Sequence, residues 1–434
     1  MKFPGQRKQK HYFPVSERGR IPFHTFPQNP KRVYIAGIDQ LIVDIEALVE
    51  DGYLERTGLH KGQSMILDTP QADGIYRELK KSGRVTGEYA GGAVCNTLHN
   101  YSVLTDDKSV AFGVISKNIT VGDNAYNYIC NTNMHVDLSY LQPLDGPIGR
   151  AICFVTPDGE RTFAIAKGRM NDLSADYINE SVIASSAALL LTTFLFRDEA
   201  SPIYKTTLRA IRIANENDVP VVLSLGTSEL VEAKKDFFRQ LIRESVTVLA
   251  MNDAEGLALT GQSDPLLCLQ SVLDICDFGL LTVGEKGLYL GAYVDEPLVR
   301  ETEEQIMSKS IPEYNKFEFS RAMRKSCCLQ KPVKIYSHIN PFLGGPSVIK
   351  STNGAGDGAL AALLHDMSAN AYHKICVPNS PKHAAPFLTY SSICQLCKYA
   401  NRVSYEIISR NSPRLTRGLP EKEDDLEEAY WDRG

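Results

Sequence analysis

The chain has 434 residues, 43% of them hydrophobic and 23% charged, enough to bury a substantial core in one large domain or in two to three smaller ones. A formal net charge of -5 leaves no overall basic footprint for nucleic acid or an anionic membrane, and no segment approaches the roughly 18 apolar residues of a membrane span. Ten scattered cysteines suit a reducing compartment, and nine histidines form no H-x-x-x-H pair, so a cytoplasmic protein without a dedicated metal cage is expected.

Residues 1–30 read as an N-terminal arm whose Lys2, Arg7, Lys8, Lys10, Arg18 and Arg20 are solvated. No apolar run follows them, which is unlike a signal peptide. "KRVYIAGI" (31–38) then opens a series of short β-rich runs. It continues with "SVAFGVI" (109–115), "ALLLTTFLF" (188–196), "VPVVLSL" (219–225), "VTVLAMN" (246–252) and "FGLLTVG" (278–284). Several are apolar at nearly every position, as strands covered on both faces are. Helical stretches such as "SPIYKTTLRAIRIANEND" (201–218) lie between them, which predicts a three-layer α/β/α core with a mainly parallel sheet.

Two regions depart from this alternation, about 39–60 and 147–170. In the second, "AICFVTPDGERTFAI" holds two β-rich runs joined by the turn Pro157-Asp158-Gly159-Glu160. Too few to stand alone, these strands read as a small β-sheet lid, to which about 100–135 is also assigned. The main domain is bounded at 31–410, with an insertion at about 295–350 and a C-terminal tail at 411–434, acidic from residue 421.

Several short motifs carry candidate chemistry. In "GGAVCN" (91–96), Gly91 and Gly92 permit close backbone approach and Asn96 can bond a sugar hydroxyl, although a plain Gly-rich turn fits as well. "NDAEG" (252–256) places Asn252 and Glu255 at the spacing of a helix capping box, with Glu255 also suited to hydrated Mg²⁺. Gly284 and Gly287 in "LTVGEKGLYL" follow a buried strand, where open α/β sheets bind ligands. Cys394 and Cys397 form one C-x-x-C on a helical segment and read as buried small residues.

"STNGAGDGALAALL" (351–364) is the most informative stretch. Gly354, Gly356 and Ala359 fit a dinucleotide fingerprint, but "KICVPNS" (374–380) lacks the ribose acid that should follow, and Asp357 would face a pyrophosphate. A phosphoryl in transfer fits better. Gly354, Ala355 and Gly356 would present backbone N–H groups at a helix start, and Asp357 beside them could take the proton of an attacking hydroxyl. No Gly-Lys dipeptide occurs, which excludes a Walker-type loop. Taken alone, the turn is equally compatible with a Gly-rich turn capped by an aspartate.

With these motifs in this order, the chain from about 32 to 410 resembles the ribokinase-like carbohydrate and nucleoside kinases. Longer stretches, "AGIDQLIVDIEA", "YSHINPFLGGP" and "SPRLTRGLPE" among them, are similar to the branch acting on guanosine and inosine. The resemblance implies ATP as donor, Mg²⁺ as cofactor and transfer to a ribose 5′-hydroxyl. It further implies Asp357 as base and Gly354, Ala355 and Gly356 as anion hole, with Asn252 and Glu255 ordering magnesium and phosphates. Thr282, Gly284, Gly287, Asn353 and Asn401 would border ATP. Gly91, Gly92, Asn96 and Thr97 would hold the nucleoside together with Asp39, Gln40 or Asp44, Asp44 being the preferred ribose-diol acid. Arg197 is a phosphate contact or a surface arginine. "LSLGT" (223–227) lacks an acid many relatives carry there. Neither a nucleic acid nor a membrane partner is expected, and a homo-oligomer is compatible with the sequence. The alternatives are an adenosine or free-sugar kinase of the same fold, or a non-catalytic nucleotide-binding regulator.

Overall fold

The continuous apolar runs become interior strands of one large sheet. The structure, a computed structural model, describes residues 33–105, 107–302, 311, 314–341 and 349–419. Its first strands in chain order are β1 (Ile35–Ile38), β2 (Ile42–Leu48), β3 (Ser64–Leu67), β4 (Val85–Ala90), β5 (Ser109–Ser116), β6 (Val136–Asp137) and β7 (Leu141–Leu144). They continue with β8 (Gly149–Val155), β9 (Arg161–Ala166), β10 (Ala188–Thr192), β11 (Val221–Ser224), β12 (Val248–Asn252), β13 (Phe278–Thr282), β14 (Leu288–Asp295) and β15 (Pro332–Ile339).

The large sheet runs β15-β14-β13-β12-β11-β10-β1-β5-β6, with β7 also on β5. Pairing is parallel from β5 through β1 to β13, then antiparallel at β14 and β15. All of β1 and β10 is buried because helices cover both faces, which is why these strands lack polar alternation. Parallel strands share one carboxyl edge, so the residues just past β1, β12 and β13 meet along a common rim.

The second sheet, β3-β9-β8-β2-β4, is half-covered and therefore alternates. Val43, Ile45 and Ala47 of β2 are buried in one cluster with Tyr53 and Leu54 of the helix Asp51–Thr57 and Leu79 of the helix Thr69–Lys81. The register puts Ile66, Ile165, Ala151 and Asp44 in one row on the opposite face. That row is the underside of the lid. The β8–β9 turn is as expected, with Gly159 at φ 85° and Thr156 N donating to Glu160 O at 3.1 Å.

Three expected boundaries differ in the structure. Residues 100–135 are not lid: they hold the end of the helix Ala93–Thr105, the central strand β5 and the helix Asn124–Cys130. Within the expected insertion at 295–350, residues 332–339 are β15, added to the sheet because Asp295 draws the returning chain back. Its carboxylate accepts from the N–H groups of Leu329 (2.9 Å), Gln330 (3.1 Å) and Lys331 (2.8 Å). Residues 411–419 are packed rather than tail-like, with Leu415 and Arg414 buried. The basic arm at 1–30, residues 303–310 and 342–348, and the acidic segment from 420 lie outside the described residues. Cys394 and Cys397 are buried free thiols on the helix Ile393–Ile408, as expected. Among the described residues, no helix is long and apolar enough to cross a membrane.

Candidate active site

The Gly-rich turn opens the helix Ala355–Cys376, with Gly354 at its start in the left-handed region (φ 79°, ψ 1°). A Cβ there would overlap Pro413, so glycine is required by both backbone and space. Gly358, one turn on, lets the helix touch Ile407 of the helix Ile393–Ile408. Ala355 N–H makes only a long bond to Thr352 O (3.4 Å), while those of Gly356 and Asp357 stand in a first turn that supplies no helical acceptor. Space beside Gly356 is open. The turn thus has the form of an anion site with Asp357 at its lip.

Asp357 is joined to the "GGAVCN" motif by Asn96, whose Nδ2 donates to Asp357 Oδ2 at 3.4 Å. Asn96 sits on the first turn of the helix Ala93–Thr105, just after the glycine pair. Asp39, past the end of β1, accepts from Cys95 N (2.7 Å) and Gln40 N (2.8 Å). A Cβ on Gly92 would overlap the Asp39 carboxylate, and one on Gly91 would overlap Asp44. The paired glycines therefore exist to admit two carboxylates. Asp44 is the preferred ribose-diol acid from the sequence; the structure brings both Asp39 and Asp44 to the glycines, one from the main sheet and one from the lid.

Crowded acids in a dry site hold their protons to higher pH than free ones. Burial raises Asp357 to about 7, with Asn96 opposing and Asp39, Glu255 and Asp44 adding to the rise. Burial likewise pushes Asp39 to about 7 and Asp44 to about 6, each eased downward by Arg414. Glu255 is raised to about 7 by burial, against the Asn252 N–H and with help from Asp253 and Glu229.

Asn252 ends β12 and pairs in register with Thr282 at the end of β13, so both lie on the carboxyl rim. The capping box is present: Glu255 N donates to Asn252 Oδ1 (2.8 Å) and Asn252 N to Glu255 Oε2 (2.9 Å). Asn252 Nδ2 reaches Glu255 Oε1 at 3.0 Å, so cap and acid are one unit. The acid absent from "LSLGT" has a neighbour in Glu229, bonded by Thr227 and close enough to raise Glu255. Gly284 and Gly287 have φ of 42° and 85°, and Gly287 packs on the carbonyl of Ile339. Asn401 Nδ2 donates to Asn340 O (3.1 Å), tying the helix Ile393–Ile408 to the chain just past β15. Asn353 is exposed beside the Gly-rich turn.

Between lid and main sheet lies a small cleft. Ile66 and Ile165 of the lid underside, with Phe194 and Met170, give it apolar walls, and Gln40 and Arg197 supply polar groups. This explains why Ile66 is 58% exposed: it is a ceiling, not a core residue. Arg197 stacks on Phe194 (5.3 Å) at this rim, away from the Gly-rich turn's own contacts. Gln40 bonds Asn171 across the same cleft. Thr97, expected beside the glycine pair as a nucleoside contact, is buried, and its hydroxyl donates to Ala93 O (3.0 Å) within its own helix.

One site residue escaped the sequence reading. Arg414 reaches Asn96 from the opposite end of the chain, Nε to Oδ1 at 2.8 Å. Its stretch, "SPRLTRGLPE", holds two arginines, and nothing in the pattern marks one over the other.

Residues 62–302 match the family described as pfkB family carbohydrate kinase. Guanosine-inosine kinase of Escherichia coli (strain K12) is 51% identical over 435 aligned residues, covering 100% of both chains. Among solved structures, the adenosine kinase from Sinorhizobium meliloti matches with a TM-score of 0.63 at 21% identity, over 90% of this chain and 97% of that one. The Anopheles gambiae adenosine kinase in complex with P1,P4-di(adenosine-5) tetraphosphate gives 0.60 at 16%, over 87% and 95%. These structural likenesses speak to the fold.

Proposed function

The chain belongs to the pfkB family of carbohydrate kinases, and on that premise we propose that it transfers the γ-phosphoryl of ATP to the 5′-hydroxyl of guanosine and inosine. The observation that carries this reading is the placement of Asp357. It stands at a helix start beside an open glycine, bonded through Asn96 to the element that admits Asp39 and Asp44.

In this reading the nucleoside lies under the lid, its ribose diol on Asp44 and Asp39 and its base in the cleft. Apolar walls from Ile66, Ile165 and Phe194 suit a flat purine. Arg197 can only donate, which matches the O6 acceptor that a 6-oxopurine has and adenine lacks. ATP lies along the carboxyl rim, bordered by Thr282, Gly284, Gly287, Asn353 and Asn401, with its γ-phosphate at the Gly-rich turn. Asp357 accepts the 5′-hydroxyl proton as the hydroxyl oxygen attacks in line, and the first-turn N–H groups receive the developing charge. Lid closure excludes water and limits ATP hydrolysis.

Mg²⁺ fits the donor set as an ion held mostly by water and phosphate. Glu255 has both oxygens engaged by Asn252, so it suits a water-mediated ligand rather than a direct one. When bound, the ion would neutralise charge on the transferring phosphates, with Glu255 and Asn252 orienting its waters. Ten free thiols accord with a cytoplasmic protein.

A coupled ADP-release assay with ATP and Mg²⁺, offering guanosine, inosine, adenosine and ribose in parallel, tests the assignment. Turnover confined to guanosine and inosine is expected; turnover on adenosine or ribose alone overturns the acceptor. A second expectation concerns pH. The base must be ionised, and Asp357 is raised to about 7, so kcat/KM for the nucleoside rises with pH through about 7. Because the acids are mutually coupled, the midpoint belongs to the set. A profile flat between pH 6 and 8 would remove Asp357 from the role.

A further inference from the structure

Arg414 is an expensive residue to place where it lies. It is 3% exposed, and a guanidinium that far from water is destabilising unless its donors are satisfied and its charge is answered. Its donors are spent on neutral oxygens: Nε on Asn96 Oδ1 (2.8 Å), Nη1 on Thr132 Oγ1 (2.8 Å) and Asn131 O (3.4 Å), Nη2 on Tyr128 OH (3.2 Å) and Gly91 O (3.3 Å). It also lies over the Tyr128 ring at 5.1 Å. The segment that carries it is clamped to the helix Ala93–Thr105. Asn100 Nδ2 donates to Pro413 O (3.0 Å), Leu415 N to Asn100 Oδ1 (2.8 Å), and His99 Nε2 lies 2.8 Å from Leu415 O.

An asparagine amide has an acceptor end and a donor end of nearly the same shape, and left to itself it turns either way. Arginine has no acceptor. With Arg414 Nε on one side of Asn96, the amide oxygen must face it, and the NH₂ must face Asp357. Reversed, the amide would set its oxygen against the carboxylate, repelling the ionised form. The remaining charge of Arg414 also falls on Asp39 and Asp44, whose carboxyls it lowers. We propose that Arg414 is a positioning residue for phosphoryl transfer: it fixes the polarity of Asn96 so that a donor is aimed at Asp357, and docking of residues 411–419 completes the catalytic site. This rests on the reading of Asp357 as the base.

The test is a double-mutant cycle on the full chain, with guanosine as acceptor and Asp357→Asn as reference. Arg414→Met is expected to lower kcat at least about tenfold while the KM for ATP stays within twofold. Arg414→Lys, with one nitrogen in place of five N–H donors, recovers part of the loss. Acting through Asn96, Arg414→Met adds little to Asn96→Ala: the double variant turns over within about twofold of Asn96→Ala alone. Losses that multiply, or Arg414→Met within twofold of the parent, overturn the proposal. If Arg414→Met does not fold by circular dichroism, the Arg414→Lys and Asn96→Ala pair carries the same cycle. An Asp357→Asn variant that turns over normally would instead strike the base assignment, a separate outcome.

Discussion

Asp357→Asn is expected to bind guanosine as the parent does and to lose about 10²-fold or more in kcat, the usual scale for a removed general base. The amide keeps the shape of the carboxylate, and its oxygen can still accept from Asn96 Nδ2, so the helix start is not disturbed. What disappears is an oxygen able to carry away the hydroxyl proton. The same substitution removes one of four crowded acids, since Asp39, Glu255 and Asp44 each push Asp357 upward. A raised carboxyl costs folding free energy once pH climbs above its ordinary value and forces ionisation in the folded state. The variant should therefore melt no lower than the parent at pH 8, and higher if the repulsion dominates. Titration calorimetry with guanosine, a thermal melt and steady-state kinetics decide it together. Near-normal turnover rejects the base, and lost binding with lost activity reassigns Asp357 to the substrate.

Gly92→Ala is the second large effect, and it should appear in binding. Gly92 has φ 94°, a region L side chains rarely adopt, and its Cβ would overlap the Asp39 carboxylate. Asp39 cannot retreat easily, because Cys95 N and Gln40 N hold both of its oxygens. Either the turn shifts or Asp39 gives up its bonds. In both cases the side of the cleft proposed to hold the ribose is lost, and the KM for guanosine is expected to rise at least tenfold, about 1.4 kcal/mol. The KM for ATP should change little, since Thr282 and Gly287 belong to other strand ends. A guanosine KM within twofold of the parent would detach the glycine pair from the nucleoside site.

The parts of the fold that could be read ahead were those whose signal is local. β10 and β12 are unbroken apolar runs because helices cover both faces, and the GAGD turn concentrates glycine and acid in four residues. The lid was read only in part. β3 is "SMIL" with exposed and half-buried positions, a pattern shared with loops. The helix Ala93–Thr105 is buried on nearly every side, so it shows no amphipathic stripe, and its end reads as lid from the sequence. Asn96 reads from the sequence as a donor and acceptor for a sugar hydroxyl, and in the structure its amide is committed at both ends to protein, which no spacing reveals. Thr97 next to it looked equally polar and turned into its own helix. Arg414 stands in an irregular stretch whose partners are hundreds of residues away, and single-chain patterns do not carry that information.

That separation bears on how the molecule is made. Asn96 and Arg414 are 318 residues apart, and Asn96 and Asp357 are 261 apart, so the site is among the longest loops the chain must close. Closure entropy grows slowly with length, but contacts of this span form late, after local helices and neighbouring strands. During synthesis, a growing chain that has already built β1 to β13 owns Asp39, Asp44 and Asn252, yet neither Asp357 nor its anchor. Phosphoryl transfer would therefore switch on as one of the last events of folding, and refolding experiments should recover secondary structure well before they recover activity.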